Sequence, residues 1–170
     1  REVLQAKIDE SMAAFAKSGQ RPDEDYYLFV LEDTETGRLV GTSGILAAVG
    51  LHEPFYTYKI GTLVNTCDHF EIYNQVPVLY LGSDFTGQTE ICTLFLDPDF
   101  RRDDNGKLLS RVRFLYMGEH PNRFADKVFA EMRGVFDASG DSPFWNAVGR
   151  HFFHMEFAKA DYLSGTGHKQ

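Results

Sequence analysis

Residues 90–110 read Glu-Ile-Cys-Thr-Leu-Phe-Leu-Asp-Pro-Asp-Phe-Arg-Arg-Asp-Asp-Asn-Gly-Lys-Leu-Leu-Ser, an apolar run, a basic-polar turn and the opening of an amphipathic segment. Arg101, Arg102 and Lys107 put three cationic side chains into one turn. A strand that enters a helix through Asn105 and Gly106 adds backbone N–H groups and the positive end of a helix dipole at the same spot. That combination holds phosphate. Gly106 carries no Cβ, so a pyrophosphate can approach the backbone closely there. The competing reading is a solvated loop whose charges only serve solubility, the commoner case for an isolated Arg/Gly turn; the position of this turn between an apolar strand and a packed helix strengthens the anion-site reading.

The elements that must position this turn are written in the periodicity. Leu108, Leu109, Val112, Leu115 and Tyr116 fall on one helical face and Lys107, Ser110, Arg111 and Glu119 on the other, which predicts a helix over 105–118 packed on a sheet. Residues 2–17 repeat the pattern with Leu4, Ile8, Met12 and Phe15, and Gly19-Gln20-Arg21-Pro22-Asp23 ends it. Tyr26–Glu32 and Leu39–Val49 are β-rich runs joined through Asp33–Gly37, a hairpin; residues 55–64 read as extended and 78–81 as a short strand. Ile91–Leu96 and Lys127–Phe136 flank the 105–118 helix as a strand–helix–strand crossover of the length parallel pairing requires. Ser142-Pro143 places an N-cap and a first-turn proline ahead of a helix reaching about Gly149. The expected class is α/β, a mixed twisted sheet flanked by helices, in one domain over residues 1–170 with no repeat or linker.

Composition narrows the function classes. Of 170 residues 43% are hydrophobic, enough for a real core, and 25 acidic residues against 17 basic ones give a net charge of −8. A broad nucleic-acid surface and anionic-membrane attachment are therefore not expected. Cys67 and Cys92 have neither CxxC spacing nor a histidine at ligand spacing, so metal is not expected and two free thiols in a reducing cytoplasm are. No run of about 18 apolar residues and no charged-then-apolar leader occurs, which also points to the cytoplasm. Arg1 opens inside a helical pattern and His168-Lys169-Gln170 stops without punctuation, as expected of a piece of a longer protein.

A hairpin, a strand, an Arg-x-x-Gly-x-Gly-type turn into a helix and a further strand and helix resemble the acyl-CoA-binding core of the GNAT acyltransferase superfamily. The segments Gly61-Thr62-Leu63-Val64, Glu90–Pro98, Ala130-Glu131-Met132-Arg133-Gly134-Val135 and Ser142-Pro143-Phe144-Trp145 resemble the arginine N-succinyltransferase family more specifically, as do Phe152-Phe153-x-Met155-x-Phe157 and Ala160–Gly167. Members of that family are about twice this length, so the resemblance implies a chain without the family's first strand and helix and without its second half. With the turn pattern set on Arg101 and Gly106, Asp104 stands where the first glycine would be.

The resemblance implies transfer of a succinyl group from succinyl-CoA to the α-amine of L-arginine in arginine catabolism, with ornithine as a second substrate and no metal. The amine must lose a proton to attack and the departing thiolate must gain one. A backbone N–H on the 91–96 strand is expected to hold the thioester oxyanion. Leu94 is expected to contact succinyl-CoA through its backbone and by packing, and Arg101, Arg102, Asn105, Gly106 and Lys107 to hold the nucleotide end. The family's proton-donating histidine lies beyond Gln170, so no histidine here inherits the role, and His151 and His154 read as structural. Glu90 is the candidate base. Glu71, Glu131 or Asp137 could receive the guanidinium of arginine, and Lys59, Arg111 or Arg113 the succinyl carboxylate. By itself the chain is expected to be inactive and to expose an apolar face. The alternatives are a non-catalytic CoA-binding or interaction subunit of a heteromeric transferase, and a GNAT enzyme with another acyl-CoA and amine. Homo- or hetero-oligomeric assembly is compatible with each.

Overall fold

The computed structural model describes residues 2–18 and 21–165, so Gly19 and Gln20 of the expected helix terminator, and the chain end from Thr166, lie outside the described residues. Its regular elements are α1 (Glu2–Ala16), β1 (Tyr26–Asp33), β2 (Arg38–Leu46), β3 (Thr57–Cys67), β4 (Ile72–Gly82), β5 (Thr89–Leu96), α2 (Asn105–Glu119), β6 (Val128–Phe129), α3 (Arg150–Phe153) and α4 (Phe157–Gly165). Contacts divide the chain into two compact units, one of residues 6–130 and one that joins residues from 131 onward to the first five.

In the larger unit β1, β2, β5 and β6 form one sheet in that order. The first three are antiparallel and β6 is parallel to β5, which makes the sheet mixed. Gly37 at φ 69 supplies the left-handed residue that turns β1 into β2. The core lies where α1 and α2 cover this sheet. Ala14, Tyr27, Ile45, Ala47 and Phe124 are buried there, with Phe29 and Tyr116 packed against them. Phe15 meets Tyr27, Phe29 and Tyr116 edge-on at centroid distances of 5.1, 5.5 and 5.3 Å, geometry worth about 0.5–1.5 kcal/mol per pair beyond burial. Thr89 is fully buried and fully bonded: its hydroxyl donates to the Ala47 carbonyl (2.7 Å) and accepts from the Ala125 N–H (2.9 Å), which ties the end of β2, the start of β5 and the approach to β6 together.

Four sequence expectations need correction. The buried face of α2 is Leu109, Arg113 and, in part, Tyr116, with Leu109 2% and Arg113 3% exposed, whereas Leu108 and Leu115 face outward. Gly41 on β2 sets this rotation, because a Cβ there would stand 2.8 Å from Leu109 Cδ2; the helix closes onto a glycine. The strand expected over 127–136 is only Val128–Phe129, since it pairs with Thr89 and Glu90 alone and then leaves the sheet, and extended residues without a ladder partner are not a strand. The short strand at 78–81 is instead the eleven-residue β4, paired with all of β3 in a two-stranded arm. The helix after Ser142 has a π-helical turn at Trp145–Gly149, although Ser142 Oγ does accept from the Trp145 N–H at 3.2 Å as a cap does.

The smaller unit is short of regular structure. Trp145 anchors it by donating from Nε1 to the Met155 carbonyl (2.9 Å) and stacking on Phe153 at 5.6 Å. Glu131 and Arg133, expected to alternate on a strand, lie in irregular chain, and Arg133 pairs with Asp161 at 2.9 Å.

Candidate functional site

A cavity of about 500 Å³ opens where β5 ends and α2 begins, within the larger unit. Leu94 and Leu96 form its apolar wall, and Arg101, Arg102, Gly106 and Lys107 its far end together with the carboxylates of Asp103 and Asp104, of which Asp103 lies 3.7 Å from Arg102 Nε. The turn between them is built locally. Asp97 accepts from the Asp99 N–H (3.0 Å) and from Arg38 (2.7 Å), fixing the 3-10 turn Pro98–Phe100. Arg101 Nε donates to the Leu96 carbonyl at 3.1 Å, so the strand end itself aims that guanidinium. Arg102 lies over the Phe100 ring, 5.7 Å from its centroid. Asn105 Nδ2 donates to the Phe100 carbonyl at 3.1 Å, closing the turn; Asn105 lines the neighbouring depression with Arg102 rather than the main cavity.

Asp103 and Asp104 occupy consecutive left-handed positions, φ 51 and 62. Asp104 therefore stands at a position where a glycine costs nothing and where aspartate is among the few tolerated alternatives. Its carboxylate pairs with Lys107 Nζ at 2.8 Å. The Asn105 N–H is taken by the Arg102 carbonyl (3.0 Å) and the helical ladder starts with Leu108 N–H to Asp104 O (2.9 Å). The amides of Gly106 and Lys107 fall in the first turn, which has no intrahelical carbonyl to offer them.

The wall of the cavity is irregular at Thr93. Thr42 stands opposite Phe95 and Gly44 opposite Cys92, so Thr93 and Leu94 together face the single residue Ser43: a β-bulge, with Thr93 at φ 53. Thr93 is held from two strands, its carbonyl by the Thr42 hydroxyl (3.0 Å) and its side-chain oxygen by the Tyr26 hydroxyl (3.0 Å). Burial pushes the Tyr26 phenol above its ordinary range, so it stays neutral and able to donate. Burial likewise pushes the Cys92 thiol up, which keeps it protonated near neutrality. The buried Arg113 guanidinium donates to oxygens that carry no charge: the Ser110 carbonyl (3.1 Å), Ser110 Oγ (3.0 Å) and the Cys92 carbonyl (3.5 Å).

The structure thus gathers Leu94, Arg101, Arg102, Gly106 and Lys107, with Asn105 bracing the turn. Glu90 sits apart from them, at the last β5 position paired on both sides, opposite Leu46 and Phe129. Lys59 and Glu71 belong to the exposed β3–β4 arm, and Arg111 faces solvent on α2. Asp137 is committed to its own turn, accepting from the Ser139 N–H and hydroxyl and from the Asp141 N–H, which holds its carboxyl below the usual range. His151 and His154 are exposed in the smaller unit, where His154 is the left-handed cap of α3. Sequence reasoning missed Tyr26, Thr42 and the strained Thr93; a threonine carries no signal for a left-handed conformation. Among the described residues there is no cluster of His, Cys, Asp and Glu that could hold a metal, and no helix long and apolar enough to cross a membrane.

The family model of the arginine N-succinyltransferase beta subunit matches residues 1–170. The chain belongs to the arginine N-succinyltransferase family. An arginine N-succinyltransferase of Yersinia pestis (strain Pestoides F) is 53% identical over 166 residues, which are 98% of this chain and 47% of that one. One from Escherichia coli O139:H28 (strain E24377A / ETEC) is 49% identical over 168 residues, 98% of this chain and 48% of the relative. The solved arginine/ornithine succinyltransferase subunit AI from Pseudomonas aeruginosa is 42% identical with a TM-score of 0.89, over 97% of this chain and 50% of that one. The fold is thereby the GNAT-like mixed α/β core, and the chain spans about half the length of the arginine N-succinyltransferases it matches.

Proposed function

We propose that this chain is the succinyl-CoA-binding part of an arginine N-succinyltransferase. The observation that carries the reading is the cavity joining the edge of β5 to Arg101, Arg102 and Lys107 at the turn into α2, where they outnumber the two carboxylates of Asp103 and Asp104. Among the described residues β5 has a ladder partner on its β6 side only at Thr89 and Glu90, so beyond Glu90 that edge can take an extended pantetheine arm along it. The pyrophosphate then meets Arg101, Arg102 and the first-turn amides. The exposed Asp104–Lys107 pair is of the kind worth under about 1 kcal/mol, so a phosphate can recruit Lys107 from it.

The acceptor amine, once deprotonated, forms a C–N bond to the succinyl carbonyl carbon, and collapse of the tetrahedral intermediate breaks the C–S bond and sends a proton to the departing thiolate. Cys92 is protonated and set back in the sheet, which fits direct transfer to the amine better than a covalent relay. Glu90 is the base we put forward from this chain, and the proton donor is assigned to the half of the family chain outside it. Arginine and ornithine both appear in the name of the solved relative and are the acceptors proposed here. The terms beta subunit and subunit AI in the relatives' names support assembly with a further chain.

The test of the site is a calorimetric titration of CoA into the parent and into the double variant Arg101→Ala with Arg102→Ala. Loss of two charge-assisted contacts is expected to weaken binding by about 1–3 kcal/mol; equal affinities would remove the anion site. The acceptor is tested by following thioester consumption of the full-length protein with succinyl-CoA or acetyl-CoA across arginine, ornithine and lysine.

A further inference from the structure

The bulge in β5 is costly as it stands. A β-branched residue at φ 53 is a genuine outlier, of a type that costs on the order of 1–3 kcal/mol and persists only where its surroundings enforce it. The surroundings here are specific. The Thr42 hydroxyl on β2 holds the Thr93 carbonyl, the Tyr26 hydroxyl on β1 holds the Thr93 side chain, and the buried Arg113 of α2 donates to the preceding carbonyl, that of Cys92. Three elements converge on Thr93 and the two peptides that flank it.

The consequence follows from peptide geometry. Every described peptide bond is trans, so the C=O of Thr93 and the N–H of Leu94 point in opposite directions from their shared plane. With the carbonyl pinned toward Thr42 on β2, the Leu94 N–H is turned away from β2. That is the side on which, among the described residues, β5 has no ladder partner beyond Glu90, and the Leu94 side chain lines the cavity. We propose that Thr42 and Tyr26 are positioning residues for acyl transfer, which hold the Thr93–Leu94 peptide in its strained orientation so that the Leu94 N–H faces the thioester carbonyl. The inference rests on the acyl-transfer reading above and deepens it. Without the Thr42 hydroxyl the peptide can rotate toward an ordinary β conformation, and a donor that is not preorganised stabilises a developing oxyanion far less.

The experiment uses the full-length protein with Thr42→Val, Thr42→Ser and Tyr26→Phe. Valine matches threonine in shape and lacks only the hydroxyl. Thr42→Val is expected to lower kcat by about 10–100-fold, somewhat below the cost of deleting an oxyanion donor outright. The succinyl-CoA Kd is expected to stay within about twofold, since the phosphate cradle is untouched. Thr42→Ser restores kcat, and Tyr26→Phe lowers it several-fold with Kd unchanged. In parallel, the backbone amide resonance of Leu94 shifts on adding a non-hydrolysable thioether analogue of succinyl-CoA in the parent and fails to shift in Thr42→Val. A kcat in both Thr42→Val and Tyr26→Phe equal to the parent's, or a kcat and Kd that deteriorate together, overturns the clamp while leaving the cradle standing. A parent protein that binds no succinyl-CoA overturns the acyltransferase reading and the clamp with it. If Thr42→Val does not fold, Tyr26→Phe carries the same decision.

Discussion

Gly106 separates what the protein needs from what a ligand needs. A Cβ built on it would make only an ordinary 3.7 Å contact with Leu96 Cδ2, so nothing in the fold demands glycine, yet the residue lines the cavity. Gly106→Ala is therefore expected to raise stability in urea denaturation by about 0.5–1 kcal/mol, the usual gain in a helix, while weakening CoA in a titration. A variant that gains stability and keeps its affinity would show that no ligand approaches the backbone there. Gly106, the two arginines and Lys107 were legible in the sequence because their chemistry resides in residue type and spacing. Thr93 was not, since its importance lies in a dihedral angle that threonine normally avoids, nor were Tyr26 and Thr42, which matter only because two strands bring them to that residue. Arg113 was misread for the opposite reason: a helical arginine ordinarily faces water, and this one is buried with its charge met by carbonyl and hydroxyl oxygens.

At the scale of elements, the separation of β2 and α2 decides where the cavity lies. Gly41 lets Leu109 seat against β2, and so brings the start of α2 up to the end of β5. Gly41→Ala is expected to cost about 1–3 kcal/mol by overpacking, measured as a lowered urea midpoint at unchanged slope, and to weaken CoA binding although residue 41 lines no part of the cavity. An alanine variant of parental stability would mean that the helix shifts without cost. β1, β2, β5 and the extent of both long helices were predictable from their periods, but not the face each helix buries: α1 buries Ser11 and Ala14 while Leu4 and Met12 of the expected stripe are exposed, and α2 buries Arg113. Residues 130–136 alternate like a strand and are not one, since alternation reports side chains and pairing requires a neighbour. The opposite difference is β4, which runs through Pro77 well beyond the 78–81 expected. In a two-stranded ladder every second N–H points to solvent, so a proline in mid-strand forfeits little.

On the scale of the whole molecule the β3–β4 arm stands out. Its strands run about 35 Å at ordinary β rise, with apolar side chains on both faces; Ile60 is 78% exposed, and Tyr58, Leu79, Tyr73, Leu63 and Ile72 are exposed as well. Two-stranded hairpins are marginal in water, and long open edges with apolar faces invite association. Replacing residues 57–82 with a short Gly/Ser linker is expected to leave the thermal midpoint within a few degrees of the parent and to abolish concentration-dependent association in sedimentation velocity. A variant that unfolds would show that the arm holds up the sheet. The outcome is foreshadowed at the base of the arm, where the Val49 N–H donates to Gln88 (3.1 Å), the Gly87 N–H donates back to Val49 (2.7 Å), and Phe55 and Phe85 both rest on Phe129. The neck is tied, so the sheet hardly registers what is threaded beyond it. Because loop-closure entropy grows only with the logarithm of length, at about 0.6 kcal/mol per doubling, this is a place where the chain can lengthen, shorten or exchange its insertion while β2 and β5 remain neighbours.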